Sequence, residues 1–173
     1  NSVSMIEIFV SDRRVGRMAL TPEGLCGFEY DADWIQSGFS ISPFYLPLKP
    51  GLIMAKRDPF AGNFGVFDDS LPDGWGNLLL DRYLQEKGVD PYKLNILERL
   101  SLIGSTGRGA LEYQPDKSIA TDDEFQNFDR LANEIEKILE SKESTGSVDL
   151  LYKYGGSSGG ARPKVFVKLD GCE

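Results

Sequence analysis

A glycine- and serine-rich loop near the end of the chain has the clearest potential for chemistry. Residues 155–160 read GGSSGG, and Lys164 follows at the start of an apolar strand. Glycine lets backbone N–H groups come close to a phosphate, and serine adds hydroxyl donors. The composition is therefore typical of a phosphate-binding loop, although it also fits a flexible hairpin or linker without a ligand.

The residues after this loop indicate which kind of phosphate site is compatible with it. A Walker loop needs the pattern G-x-x-x-x-G-K-[ST] followed by a helix. Gly155 and Gly160 have the required spacing, but Ala161 and Arg162 come next and a strand follows. A loop that opens into a strand is the arrangement of a kinase glycine-rich loop. The pattern therefore favours a kinase loop over a Walker loop.

A second glycine-rich stretch, GSTGRGALEY, covers residues 104–113. Its glycines follow the order G-x-x-G-x-G and precede a strand, whereas the dinucleotide fingerprint has the reverse order and opens a helix. We therefore reject dinucleotide binding. The stretch is interpreted as a tight turn between a helix and a strand, with Arg108 in solvent.

Three aspartates lie close together in FDDSLPDGWG, residues 67–76. The EF-hand pattern D-x-[DN]-x-[DN]-G is absent, so no metal site is predicted. Asp73 is expected to cap a helix, and Trp75 is expected to anchor that helix in the core.

The composition excludes several classes of function. The 173 residues include 27 acidic and 19 basic side chains and no histidine, which gives a net charge of −8. This balance argues against broad binding to nucleic-acid backbones, although a local basic patch is compatible with it. The lack of histidine excludes Ser-His-Asp and Cys-His catalysis and the usual zinc sites.

The cysteines and the hydropathy pattern indicate the compartment. Cys26 and Cys172 are interpreted as one core thiol and one near-terminal thiol in a reducing environment. No apolar run approaches the roughly 18 residues that a membrane span needs, and no signal-peptide layout is present. A soluble, cytoplasmic protein is expected.

The elements that must position these motifs begin with an antiparallel β-meander. MIEIFV, VGRMAL and LCGFEY alternate like strands, and SDRR and TPEG read as the turns between them. DADWIQS is predicted to be a short helical turn capped by Asp31 or Asp33. The next segment favours extended, loop-like backbone because it contains four prolines: Pro43, Pro47, Pro50 and Pro59.

Helices dominate the following part of the chain. The first is predicted from about Pro72 to Lys87, where Gly88 stops it. Its predicted buried stripe consists of Trp75, Leu78, Leu79 and Tyr83.

A second helix is predicted with Asp90 as its N-cap and Pro91 at its first position. Its apolar stripe consists of Leu94, Leu97 and Leu100, and the strand GALEYQP follows. A third helix is predicted from the capping box formed by Thr121 and Glu124. The polar linker SKESTGS, residues 141–147, then leads to a last strand, PKVFVKL.

Taken together, these motifs resemble the N-terminal part of the HipA-like serine/threonine kinases, the toxins of bacterial toxin–antitoxin systems. LPDGWG, GRGALEY and SSGGARPK occur in the order of the family, along with RRVGRMAL, GFEYDADWI and FYLPLKPG. The resemblance covers nearly the whole chain. It implies an α+β fold in which an antiparallel meander and about three helices lead into the first strands of an atypical protein-kinase fold.

The resemblance also implies a domain division. Residues 5–115 correspond to the N-terminal α+β subdomain, residues 116–146 to a helix and polar linker, and residues 147–173 to the start of the kinase N-lobe. The expected ATP loop comprises Gly156, Ser157, Ser158, Gly159, Gly160, Ala161 and Lys164. In the family, a serine at the head of this loop can be autophosphorylated, and Ser157 matches best, with Ser158 as the alternative.

A kinase also needs a strand lysine, a catalytic aspartate and magnesium ligands. The resemblance implies that these lie beyond Glu173, so no catalytic residue is assigned, and Lys164 and Lys168 are poor candidates for the strand lysine. The chain is therefore expected to be an inactive N-terminal fragment of a kinase that uses ATP and Mg²⁺, without tightly bound cofactor itself. The alternative is a stand-alone, non-catalytic module that binds a HipA-like kinase or an antitoxin.

The resemblance further implies a HipB-like DNA-binding antitoxin as partner and another protein as the substrate of the kinase. Direct contact of this chain with nucleic acid or a membrane is not expected.

Overall fold

The computed structural model describes residues 3–107 and 109–118. These residues fall into two compact units, one formed by residues 3–71 and 94–118 and the other by residues 72–93. In the first unit, five antiparallel strands form one sheet in the order β4-β3-β2-β1-β5. The strands are β1 (Met5–Val10), β2 (Arg13–Leu20), β3 (Cys26–Tyr30), β4 (Ile53–Met54) and β5 (Glu112–Gln114).

The predicted meander is confirmed, with a tighter first turn. Val10 pairs with Arg13, so only Ser11 and Asp12 connect β1 to β2, and both have positive φ. Two such residues are typical of the turn whose twist matches that of a hairpin. The second strand therefore begins at Arg13, two residues earlier than its apolar alternation suggests.

One face of the sheet carries the core. Ile6 and Ile8 of β1, Met18 of β2 and Phe28 of β3 are 1% exposed or less. In β1, the buried Ile6 and Ile8 alternate with more exposed residues because successive side chains point to opposite faces of a sheet.

The described part of the chain contains four α-helices. They are α1 (Ala32–Ser37), α2 (Gly65–Asp68), α3 (Gly74–Glu86) and α4 (Ile96–Ile103). The N-cap of α1 is Asp31, one of the two predicted candidates, and its side chain accepts a hydrogen bond from the Asp33 N–H. Of the four, α2 was not predicted, because it is only four residues long and follows an irregular segment.

The prediction for the second helix is wrong at its start. Asp90 accepts from the Tyr92 N–H at 3.0 Å, but it begins only a 3₁₀ turn, Pro91–Lys93. The α-helix begins after Asn95, whose side chain accepts from the Glu98 N–H while Glu98 accepts from the Asn95 N–H. The capping box N-x-x-E therefore outcompetes the D-P signal five residues earlier.

The second described unit contains α3. The predicted bounds are nearly right, since the helix ends at Glu86 and Gly88 has φ of 73°. Asp73 occupies its N-cap position and Trp75 is 1% exposed. The predicted stripe is partly wrong, since Leu78 and Tyr83 are only half-buried and the buried apolar residues are Trp75, Leu79, Leu80 and Leu84.

Prolines keep residues 39–60 largely irregular, as predicted, although β4 forms within them. Tyr30 anchors this segment because its hydroxyl donates to the Leu46 carbonyl at 2.8 Å and accepts from the Ile41 N–H at 3.1 Å. Cys26 is a free, buried thiol as predicted, and burial raises the pKa of this thiol to about 12.

Several predictions lie outside the described residues: the third helix, the linker, the last strand, Cys172 and the kinase-like strands. The three domain ranges stay predictions. Among the described residues, no helix is long and apolar enough to cross a membrane.

The aromatic core gives a test of the fold. Phe28 is fully buried, with its ring 4.8 Å from that of Tyr30 and 5.4 Å from that of Phe67. We expect Phe28→Ala to lower the free energy of unfolding by about 3–5 kcal/mol, because it removes these contacts and leaves a cavity. The matched control is Phe44→Ala, since Phe44 is 94% exposed. Urea unfolding followed by circular dichroism measures both, and equal losses would contradict the described core.

The helix start gives a second test. We expect Asn95→Ala to destabilise the protein by about 1 kcal/mol, because it removes the N-cap of an α-helix. Asp90→Ala should cost less, since Asp90 caps only a 3₁₀ turn. The same unfolding experiment compares the two variants. A larger loss for Asp90→Ala would place the helix start at Asp90 instead.

Candidate interaction surfaces

A charged network covers part of the outer face of the sheet. Arg14 on β2 donates from Nη1 to Glu7 Oε1 on β1 at 2.7 Å and from Nε to Asp31 Oδ2 at 2.8 Å. Arg17 on β2 pairs with Glu29 on β3 at 2.8 Å. These residues line a shallow cavity of about 300 Å³.

This charged network is suited to holding structure rather than to acid–base catalysis. Desolvation raises the pKa of Asp31, but hydrogen bonds from Arg14 and from the Asp33 N–H outweigh it, so the net shift is downward. Asp31 thus stays ionised while one oxygen caps α1 and the other binds the β2 arginine. A general acid or base needs a pKa close to the working pH, and Asp31 moves away from it.

A second cavity of about 280 Å³ lies beside β4. We call it the aromatic groove, and its lining residues include Phe44, Tyr45, Met54, Lys56, Phe60 and Phe64. Phe44 and Tyr45 are 94% and 69% exposed, whereas Phe64 is 6% exposed. The groove thus has a buried aromatic floor and exposed aromatic walls.

The floor of the aromatic groove is continuous with the core. The Phe64 ring lies 6.5 Å from that of Phe28 and 6.0 Å from that of Phe67, and both contacts are edge-to-face. The Phe64 N–H donates to Asn63 Oδ1 at 2.8 Å, and Asn63 is buried. Because these contacts fix the floor, the groove is formed before any partner arrives.

The glycine-rich turn after α4 is closed by a carboxylate. Asp116 Oδ2 accepts from the Ser105 backbone N–H at 3.0 Å and from the Ser105 hydroxyl at 2.6 Å, and Oδ1 accepts from the Ser118 N–H at 2.8 Å. A Cβ at Gly104 would collide with this carboxylate. The stretch lies between a helix and a strand, as predicted, and Gly104 leaves room for Asp116.

The structure describes none of the residues predicted for the ATP loop. Gly156, Ser157, Ser158, Gly159, Gly160, Ala161 and Lys164 all lie outside the described residues, and so does Arg108. Their roles stay predictions. Within residues 3–107 and 109–118, Asp68, Asp69 and Asp73 do not form a cluster of three ligands that could hold a metal ion.

Sequence reasoning missed both the aromatic groove and the Asp116 clamp. The spacing of Asp116 and Ser118 is a D-x-S pattern, which often marks an Asx turn, and could have indicated the clamp. The adjacent Phe44 and Tyr45 in a proline-rich loop were the only signal of the groove, because they fit no helix or strand periodicity.

Comparison with known protein families shows to which family the chain belongs. A family described as the HipA N-terminal domain matches residues 6–114, which is more than half of the chain. The chain belongs to the HipA N-terminal domain family. The matched range runs from β1 to β5 and includes every residue of the described sheet except Met5.

One similar solved structure is the Shewanella oneidensis MR-1 toxin–antitoxin complex of HipA, HipB and operator DNA. The match has 23% sequence identity and a TM-score of 0.48, and covers 78% of this chain. This chain corresponds to 29% of the length of the matched chain. Comparison with curated proteins gives no match.

Two of the sequence motifs meet inside this HipA N-terminal domain. The Tyr113 hydroxyl, at the end of GRGALEY, donates to Ser70 Oγ, in the stretch FDDSLPDGWG, at 2.5 Å. Burial raises the pKa of Tyr113 above its ordinary range, so the hydroxyl stays protonated as a donor. SSGGARPK lies beyond the matched residues.

The Asp116 clamp predicts a dependence of stability on pH. Desolvation raises the pKa of Asp116, but hydrogen bonds from Ser105 and Ser118 outweigh it and the net shift is downward. A lowered pKa stabilises the fold above the unfolded value of about 3.9, and this stabilisation disappears as the pH falls through the folded pKa. Asp116→Asn should therefore lower the melting temperature at pH 7, and the difference from wild type should vanish as the pH falls.

Melting curves between about pH 7 and pH 2 test the expected convergence, which follows from proton linkage. Asp12→Asn is the matched control, because it makes the same change in the exposed β1–β2 turn. A difference between Asp116→Asn and wild type that stayed constant over this range would contradict the clamp.

Proposed function

We propose that this chain serves as the N-terminal part of a HipA-like serine/threonine kinase toxin. The match of residues 6–114 to the HipA N-terminal domain carries the proposal. The described sheet and its helices supply a scaffold, and the charged network found on it offers no catalytic acid or base. The chemistry of phosphate transfer is therefore assigned to other parts of the protein.

The glycine-rich segment from Gly156 to Lys164 is proposed to contribute the loop over the phosphates of ATP, with Mg²⁺ as the second cofactor. Its glycines allow close approach of backbone N–H groups to phosphate oxygens, and a kinase loop opens into a strand as this sequence does. Phosphorylation of Ser157, or alternatively Ser158, would oppose ATP binding, because two phosphate charges would repel each other in one pocket.

A HipB-like antitoxin is the proposed partner, and another protein is the proposed substrate. Membership in the HipA N-terminal domain family supports this partner, because HipB-like antitoxins are the partners of HipA-like toxins. With a net charge of −8, this chain is a poor ligand for the phosphate backbone, so DNA contact would come from the antitoxin.

A stand-alone binding module is the second candidate. Two observations favour it. The carboxylates on the sheet face are paired with arginines, and the described residues form an aromatic groove of the kind that binds a partner. Such a module would bind a HipA-like kinase or an antitoxin without transferring phosphate itself.

ATP binding by the full gene product separates the two candidates. The protein is incubated with labelled ATP and Mg²⁺, and nucleotide affinity and phosphate incorporation are measured. For a kinase, Ser157→Asp should weaken ATP binding about tenfold or more, because it places a negative charge in the phosphate loop. The matched control is Ser4→Asp at an exposed position outside the loop, which should bind ATP like wild type.

Absence of ATP binding and phosphate transfer, together with inhibition of a HipA-like kinase when the two proteins are mixed, would overturn the kinase assignment. That result would establish the binding module.

A further inference from the structure

We draw no further inference here: the strongest candidate, the aromatic groove beside β4, has no net formal charge on its lining because Lys56 and Asp58 offset each other, and nothing in the described residues shows what covers its apolar walls.

Discussion

The burial of Phe28 is the constraint on which the described fold depends most. Its ring lies over Gly16, where a Cβ would come within 2.8 Å of the ring atoms, so β2 must carry glycine at that point. From this position Phe28 contacts Tyr30 on its own strand and Phe64 and Phe67 in the segment that contains α2. One side chain thereby joins the sheet to a segment more than thirty residues away in sequence.

The same aromatic cluster determines where binding surfaces can form. Tyr30 uses its hydroxyl to hold the proline-rich segment at Leu46, and Tyr113 uses its hydroxyl to hold Ser70. Each ring is buried while its hydroxyl bonds a residue outside the strands, at the backbone carbonyl of Leu46 and at the side-chain hydroxyl of Ser70. Phe64 belongs to both the cluster and the aromatic groove, so the shape of the groove follows from the packing of the core.

How far the sequence predicts this arrangement depends on whether the signal is local. Alternation identified β1 to β3, and Asp31 was among the predicted caps, because strands and caps are encoded by neighbouring residues. The start of α4 was misplaced because Asp90 and Asn95 both carry valid cap signals, and the reciprocal capping box of Asn95 with Glu98 was not weighed against the D-P signal. The aromatic groove was missed because its walls come from an aperiodic segment placed by distant contacts.

The net charge of a sequence likewise predicts function only in part, because it does not show where the charges lie. An overall charge of −8 lowers the expectation of DNA binding, yet a partner meets only the charges near its own site, since others are screened over roughly 10 Å. The two surfaces of this HipA N-terminal domain differ in that respect. On the sheet face, Arg14 and Arg17 already have carboxylate partners, so that face gains little from a new anion. In the groove, Lys56 has no carboxylate partner among the described residues, but Asp58 also lines the groove, so its lining carries no net formal charge.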